Sequence, residues 1–86
     1  MDGTLRAFLG ELFRTAVAAA HPAACLPPLL PQPPAGRLIV LAAGKAAGSM
    51  AEVAEGFYLN QSKFNHERLC GIAVARHGYG RPLRAV

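Results

Sequence analysis

A run of six apolar residues followed by glycine and lysine constrains the fold of this chain more than any other stretch. The run covers residues 38–43 (LIVLAA), and Gly44-Lys45 leads directly into small residues. An uninterrupted apolar run of this length is typical of a strand buried on both faces, as parallel strands in α/β proteins are. Gly44 permits a tight turn, and the small residues that follow predict a helix over 45–55 that ends at Gly56.

A second apolar run, residues 70–75, predicts the partner strand. Strand, helix and strand in this order predict a right-handed parallel unit. The intervening residues 57–69 are largely polar and are predicted to be a surface connector. Both strands should end at the same edge of the sheet, which is where open α/β sheets bind their ligands.

The N-terminal residues predict an amphipathic helix over 5–20 with Thr4 as its N-cap, because apolar residues recur there at helical spacing. Its apolar stripe is predicted to pack on the sheet, with Phe8 and Phe13 in the core. His21 should cap the final carbonyl groups of this helix.

Six prolines fall among residues 22–34 and predict a stiff, extended connector without helix or central strand. Its leucines are expected to lie against the domain. A proline-rich ligand for a partner domain is the alternative.

The chain has 86 residues and a net charge of +4, so it can form at most one small domain with a thin, alanine-rich core. Arg76, Arg81 and Arg84 make its end basic, which suits a phosphate, an acidic protein or nucleic acid as well as plain solvent. Cys25 and Cys70 have no metal-binding spacing and are expected to be reduced thiols of a cytoplasmic protein. No apolar stretch is long enough for a membrane helix.

Gly44-Lys45 at a helix start offers backbone donors, a helix dipole and a cation, which together suit a carboxylate or phosphate. The stretch is neither a Walker A loop nor a dinucleotide fingerprint. The alternative is an ordinary turn with a lysine for solubility.

The loop after the second strand, residues 76–80 (RHGYG), could curl around an anion. Arg76 would supply a bidentate fork and His77 a proton donor. An ordinary glycine-rich turn is the alternative. No metal site is predicted, because the acids are few and scattered: Asp2, Glu11, Glu52, Glu55 and Glu67.

Taken together, four stretches resemble the start of the bacterial and archaeal glycerate 2-kinase family, whose members carry a C-terminal MOFRL domain and are often labelled hydroxypyruvate reductase. They are residues 12–22 (LFRTAVAAAHP), the Leu-Pro-rich connector with Gly36-Arg37, residues 40–51 (VLAAGKAAGSMA) and residues 71–80 (GIAVARHGYG). The resemblance spans nearly the whole chain except for residues 57–69.

The resemblance implies ATP-dependent phosphorylation of the 2-hydroxyl of D-glycerate, with ATP and Mg²⁺ as cofactors and most of their ligands outside this chain. Lys45 matches the lysine of the family's Gly-Lys-Ala motif and would be catalytic, binding the glycerate carboxylate or the transferring phosphate. Gly44 accompanies it, and Arg76, Gly78 and Gly80 would line the same cleft.

The sequence departs from the family in two motifs and in length. Ala42-Ala43-Gly44-Lys45 stands where Gly-Ala-Gly-Lys is usual, and His77-Gly78-Tyr79 stands where Tyr-Gly-His is commoner, which leaves His77 without an assigned role. Family members run to about four hundred residues. Residues 1–86 are therefore expected to be an N-terminal fragment of the large αβα domain, without the MOFRL domain and inactive alone.

The expected fold is a partial three-layer αβα (Rossmann-like) unit, an incomplete domain with an N-terminal helix, a Pro-rich connector and a parallel β-α-β unit. The expected partners are D-glycerate and ATP, with no membrane and with self-association through exposed strand edges. Two other functions remain open: a hydroxypyruvate reductase, which would need a nicotinamide site, and a small basic module for anions or nucleic acid.

Overall fold

The computed structural model describes residues 3–86, so Asp2 lies outside the described residues. The chain forms helical segments of different lengths and two strands. In order, these are α1 (Gly3–Ala20), α2 (Pro22–Cys25), a 3-10 turn (Pro27–Leu29), β1 (Leu38–Ala43), α3 (Ala47–Leu59), a second 3-10 turn (His66–Arg68) and β2 (Leu69–Val74).

The two strands pair in parallel, from Leu38 opposite Leu69 to Ala43 opposite Val74. Helix α3 connects them and packs on one face of the sheet. This confirms the predicted α/β class and the β-α-β order. The second strand begins and ends one residue earlier than the sequence predicts.

The opposite face of the sheet is open, which differs from the expected burial on both faces. Within residues 3–86, burial alternates along β1, and side chains on its open face include Ile39 and Leu41, which are 56% and 76% exposed. In β2, Ile72 and Val74 on the same face are each 59% exposed. The apolar residues of the run are therefore covered on one face of the sheet and exposed on the other among the described residues.

Helix α1 forms where predicted, but it does not pack on the sheet. It begins at Gly3, which puts Thr4 inside the helix instead of at its N-cap. Phe8 is 57% and Phe13 is 69% exposed, so the prediction that they lie in the core is wrong. The helix contacts α2 and projects from the sheet, which gives the molecule extents of 57 × 29 × 16 Å. Among the described residues, no helix has the length and apolar character to cross a membrane.

The proline-rich connector contains helical turns, which the sequence analysis excluded. Proline fits the first turn of a helix because its missing N–H needs no partner there, and α2 begins with Pro22. The Nδ1 atom of His21 accepts a hydrogen bond from the N–H of Ala23 at 3.1 Å. His21 thus caps the start of α2, not the end of α1 as predicted.

The core lies largely in the segment that was predicted to be a surface connector. Helix α3 passes through Gly56 and ends at Leu59, so its buried face continues one turn further to Tyr58. Tyr58, Phe64 and Leu69 are 2%, 5% and 4% exposed and form the buried cluster. The prediction of a polar connector is therefore wrong, because its isolated aromatics face inward.

Two hydrogen-bonding side chains attach the proline-rich connector to this core. The Tyr58 hydroxyl donates to the carbonyl of Pro31 at 2.8 Å, and burial raises the pKa of Tyr58. Arg68 lies 5.0 Å from the centre of the Phe64 ring. Its Nη1 atom donates to the carbonyls of residues 34–36. The connector is thereby held beside β1.

Candidate functional site

The carboxyl ends of the two strands bring both sequence-predicted segments to one edge of the sheet. The N–H of Gly44 donates to the carbonyl of Val74 at 3.3 Å, which ties the turn after β1 to the last residue of β2. Gly44 has a φ of 119°, a region that L side chains rarely adopt. Glycine is therefore required where the chain turns from β1 toward α3.

The turn delivers Lys45 to the N-terminus of α3. Lys45 is exposed, and the N-cap residue Ala46 has no side chain able to accept from the helix. Helix geometry leaves the first N–H groups, including those of Gly48 and Ser49, without intrahelical acceptors. The first turn also contains no acidic residue. A cation and the positive end of a helix dipole therefore occupy the same short segment.

The loop after β2 begins with a tight turn. The N–H of Tyr79 donates to the carbonyl of Arg76 at 2.9 Å, and Gly78, the third residue of the turn, has a φ of 85°. This positive φ is what the third position of a type II turn requires. The Arg76 guanidinium lies 5.0 Å from the centre of the Tyr79 ring, so the two side chains stack. His77 and Gly80 are exposed in the same loop.

The loop then packs directly on the first turn of α3 at Gly48. A Cβ built on Gly48 would lie 2.7 Å from the carbonyl oxygen of Tyr79 and 3.1 Å from Cγ of Arg81. Such a distance to a backbone atom leaves no room for a side chain. Gly48, which is buried in the first turn, is thus what allows the loop to approach the helix N-terminus.

Glu55 holds the chain that follows this loop. Its carboxylate accepts hydrogen bonds from the N–H groups of Arg84, Ala85 and Val86 at 2.8, 2.6 and 2.9 Å. The Nε atom of Arg84 lies 3.8 Å from the same carboxylate. Burial by itself raises the pKa of Glu55, but the three backbone donors and Arg84 outweigh it and bring the pKa below its ordinary value of 4.5. Glu55 is therefore ionised at neutral pH.

The structure thus places Gly44 and Lys45 at the same edge as Arg76, Gly78 and Gly80. Within residues 3–86, however, no hydrogen bond or ion pair joins Lys45 to the loop. Arg76 is engaged by Tyr79.

Two features of the site were not predicted from the sequence: the role of Glu55 and the contact at Gly48. A signal for Glu55 was present, since it is an acid among the residues that form the buried face of α3: Ala47, Ala51, Ala54 and Tyr58.

The described residues suit an anion better than a metal ion. Among residues 3–86, no three His, Cys, Asp or Glu side chains come together as a metal site. Backbone donors, Lys45 and Arg76 instead offer the groups that bind carboxylates and phosphates.

Comparison with known proteins adds a family match and one curated relative. A family model described as "Domain of unknown function (DUF4147)" matches residues 8–86. An Agrobacterium vitis protein named "Putative hydroxypyruvate reductase" is 35% identical over 81 residues, which cover 94% of this chain and 17% of the relative. The chain thus spans about one sixth of that relative's length. No solved structure matches the chain.

Proposed function

Because this chain belongs to the DUF4147 family, the N-terminal domain of glycerate 2-kinase/MOFRL proteins, we propose that it supplies the substrate-binding corner of a glycerate 2-kinase. The family match confirms the resemblance drawn from the sequence motifs. The proposed reaction forms a bond between the 2-hydroxyl oxygen of D-glycerate and the γ-phosphorus of ATP. The bond from that phosphorus to the leaving ADP oxygen breaks.

The observation that carries the proposal is the meeting, at one sheet edge, of two segments whose groups suit an anion. The hydrogen bond from Gly44 to Val74 joins the strand ends, and the contact at Gly48 sets the second loop against the helix that follows Lys45. Both substrates are anions, with a carboxylate on glycerate and phosphates on ATP. A cation, a helix N-terminus and an arginine together complement such charges.

In this proposal Lys45 binds the glycerate carboxylate or the transferring phosphoryl group. Phosphoryl transfer depends chiefly on positioning and on stabilisation of charge, and an ammonium group beside backbone donors supplies both. Arg76 would offer a bidentate contact once its side chain leaves the Tyr79 ring. Gly78 and Gly80 would let a phosphate approach the loop backbone closely.

The cofactor groups fit this chain unequally. The turn at Lys45 suits a phosphate, so ATP fits in part. The absence of a clustered metal-ligand set among residues 3–86 means that these residues do not account for Mg²⁺, and no step is derived through the ion.

A hydroxypyruvate reductase is the second candidate, and the name of the Agrobacterium vitis relative favours it. A reductase would bind a nicotinamide dinucleotide, whose usual glycine fingerprint follows neither strand in this sequence. The turn after β1 carries Gly44 and Lys45, and Gly48 follows in the first turn of α3. This pattern suits a single anionic group better than a pyrophosphate cradled by three glycines.

Replacing Lys45 with alanine should weaken binding of D-glycerate or 2-phosphoglycerate by about 10- to 100-fold, since a hydrogen bond to a charged group contributes about 1.5–3 kcal/mol. Binding is measured by adding either ligand to isotopically labelled protein and following the NMR amide resonances of residues 44, 45 and 48. Lys63→Ala is the matched control, because Lys63 is an exposed lysine in the turn beyond the opposite end of α3. Equal weakening by both variants would refute a specific role for Lys45.

Activity separates the two candidates in a family polypeptide that contains this chain. Formation of 2-phosphoglycerate from ATP and D-glycerate, abolished by Lys45→Ala, is the expected result. Oxidation of NADH with hydroxypyruvate in the absence of phosphorylation would instead establish the reductase.

A further inference from the structure

We propose that Glu55 is a positioning residue for the candidate site and that it acts by holding the loop after β2 on the N-terminus of α3. The carboxylate anchors residues 84–86, and this anchor keeps Tyr79 and Arg81 seated on Gly48. The inference rests on the proposed function for its ligand, D-glycerate, but the position of the loop can be measured without any ligand.

The buried carboxylate of Glu55 is costly without partners. Glu55 is 3% exposed, and it is the buried charged residue among residues 3–86. Burying a carboxylate is costly unless several donors compensate it. Three backbone N–H groups within 2.9 Å do so here. A charge buried in this way fixes those three residues to one point on α3.

The two anchors, at Gly48 and Glu55, lie close together along the chain that they hold. Gly48 and Glu55 are seven residues apart on α3, which corresponds to about 10.5 Å along the helix axis. Arg81 and Arg84 are three residues apart, and a fully extended chain covers about 10–11 Å over three residues. The two anchors are therefore joined by a short segment, with two residues between Arg81 and Arg84. Pro82 lies within it and restricts it further.

The anchored segment controls the position of the loop after β2. The contacts at Gly48 come from the Tyr79 carbonyl and from Arg81, directly after the turn that carries Arg76, Gly78 and Gly80. If the anchor at Glu55 is released, residues 84–86 are no longer fixed to α3 and the loop can leave the helix. The Arg76 turn would then no longer be held beside Lys45 at the strand ends.

Glu55 is the group of this anchor whose charge changes with pH. Arg84, on the segment that Glu55 holds, is the charged side chain that faces it. The strands and helical segments packed against α3, which are β1, β2, α2 and the 3-10 turn at Pro27–Leu29, contain no charged side chain, and their titratable groups are the thiols of Cys25 in α2 and Cys70 in β2. The loop that packs on Gly48 adds Arg81. Because the folded pKa is lowered, the anchor is present above the ordinary carboxyl pKa and is lost as pH falls through the lowered value.

The test compares Glu55→Gln with Glu52→Gln, a change of the same kind one turn earlier on α3. Glu52 is half-buried, and its carboxylate makes no hydrogen bond among the described residues. In Glu55→Gln, amide exchange at Arg84–Val86 should accelerate at least about 10-fold, as expected for lost hydrogen bonds to a charged group. The NMR contact between Gly48 and Arg81 should disappear. Protection of Ala51 and Ala54 in α3 should remain.

Ligand binding provides the second readout. D-glycerate affinity should fall about 10-fold in Glu55→Gln and stay unchanged in Glu52→Gln. Faster exchange at residues 84–86 with unchanged affinity would overturn the positioning role and leave a purely structural one. If the unaltered protein binds no D-glycerate, the proposed function fails, and the Gly48–Arg81 contact alone decides whether Glu55 positions the loop.

A pH titration keeps the proposal testable if Glu55→Gln does not fold. In the unaltered protein, the Gly48–Arg81 contact should be lost reversibly as pH falls through the lowered pKa of Glu55, and the amides of α3 should stay protected. Loss of the contact only together with the whole helix would contradict the proposal.

Discussion

Gly71→Ala is expected to disrupt the pairing of β1 with β2 and to destabilise the protein severely. A Cβ at this position would meet the carbonyl oxygen of Val40 and would lie 2.8 Å from its carbonyl carbon and 2.9 Å from its nitrogen. These are backbone atoms of the paired strand, so no side chain can rotate away to make room. The expected loss is about 4–5 kcal/mol, the size reached by severe core disruptions. Domains of this kind are stabilised by roughly 5–15 kcal/mol in total.

The matched control is Gly56→Ala. Gly56 lies inside α3, where a Cβ would meet nothing within 4 Å. Alanine should stabilise the helix by about 0.5–1 kcal/mol because glycine loses more backbone entropy on folding. Urea unfolding followed by circular dichroism measures both variants. A Gly71→Ala midpoint equal to that of the unaltered protein would show that the strands do not approach as described.

Phe64→Ala is expected to cost about 3–5 kcal/mol, as removal of a buried phenylalanine usually does. The side chain is 5% exposed, its ring centre lies 6.0 Å from that of Tyr58, and the Arg68 guanidinium lies over its face. Its removal takes away the centre of the buried cluster and the support of Arg68. Equilibrium unfolding in urea measures the loss.

Phe13→Ala provides the same chemical change at an exposed position and should alter the free energy of unfolding by no more than about 0.5 kcal/mol. Phe13 is 69% exposed on α1. The sequence alone predicts the reverse order, with Phe13 in the core and residues 57–69 on the surface. A large loss for Phe13→Ala, with a small one for Phe64→Ala, would therefore support the sequence-based arrangement over the structure.

The sequence predicted the elements with strong local signals. The apolar run at residues 38–43 is a strand at those bounds, and the second strand differs by one residue at each end. Both strands are short, uninterrupted apolar runs, a composition typical of strands in parallel sheets. The prediction that α3 ends at Gly56 was wrong. A glycine lowers helix propensity by only about 1 kcal/mol, and packing of Tyr58 against the core offsets this cost.

The site was predictable in part. Gly44, Lys45 and the loop at residues 76–80 carry local signals of glycine and charge, and the parallel order of strands implies that they meet. Their catalytic and binding roles stay predictions. The position of Glu55 on the buried face of α3 indicates a buried acid, but its role could not be assigned because its partners are backbone N–H groups near the end of the chain, which leave no signal in residue types.

The sequence by itself determined the parallel β-α-β unit, the lysine turn at the strand ends and the family, because these depend on contiguous residues. Only the tertiary structure decided which aromatics are buried, where α1 lies and what holds the second loop. The burial of the aromatics and the position of the second loop depend on contacts between residues about thirty positions apart, such as Tyr58 with Pro31 and Glu55 with Arg84. For the lysine turn, the difference is concrete: sequence places a cation there, and folding adds the Glu55 anchor that keeps the second loop beside it.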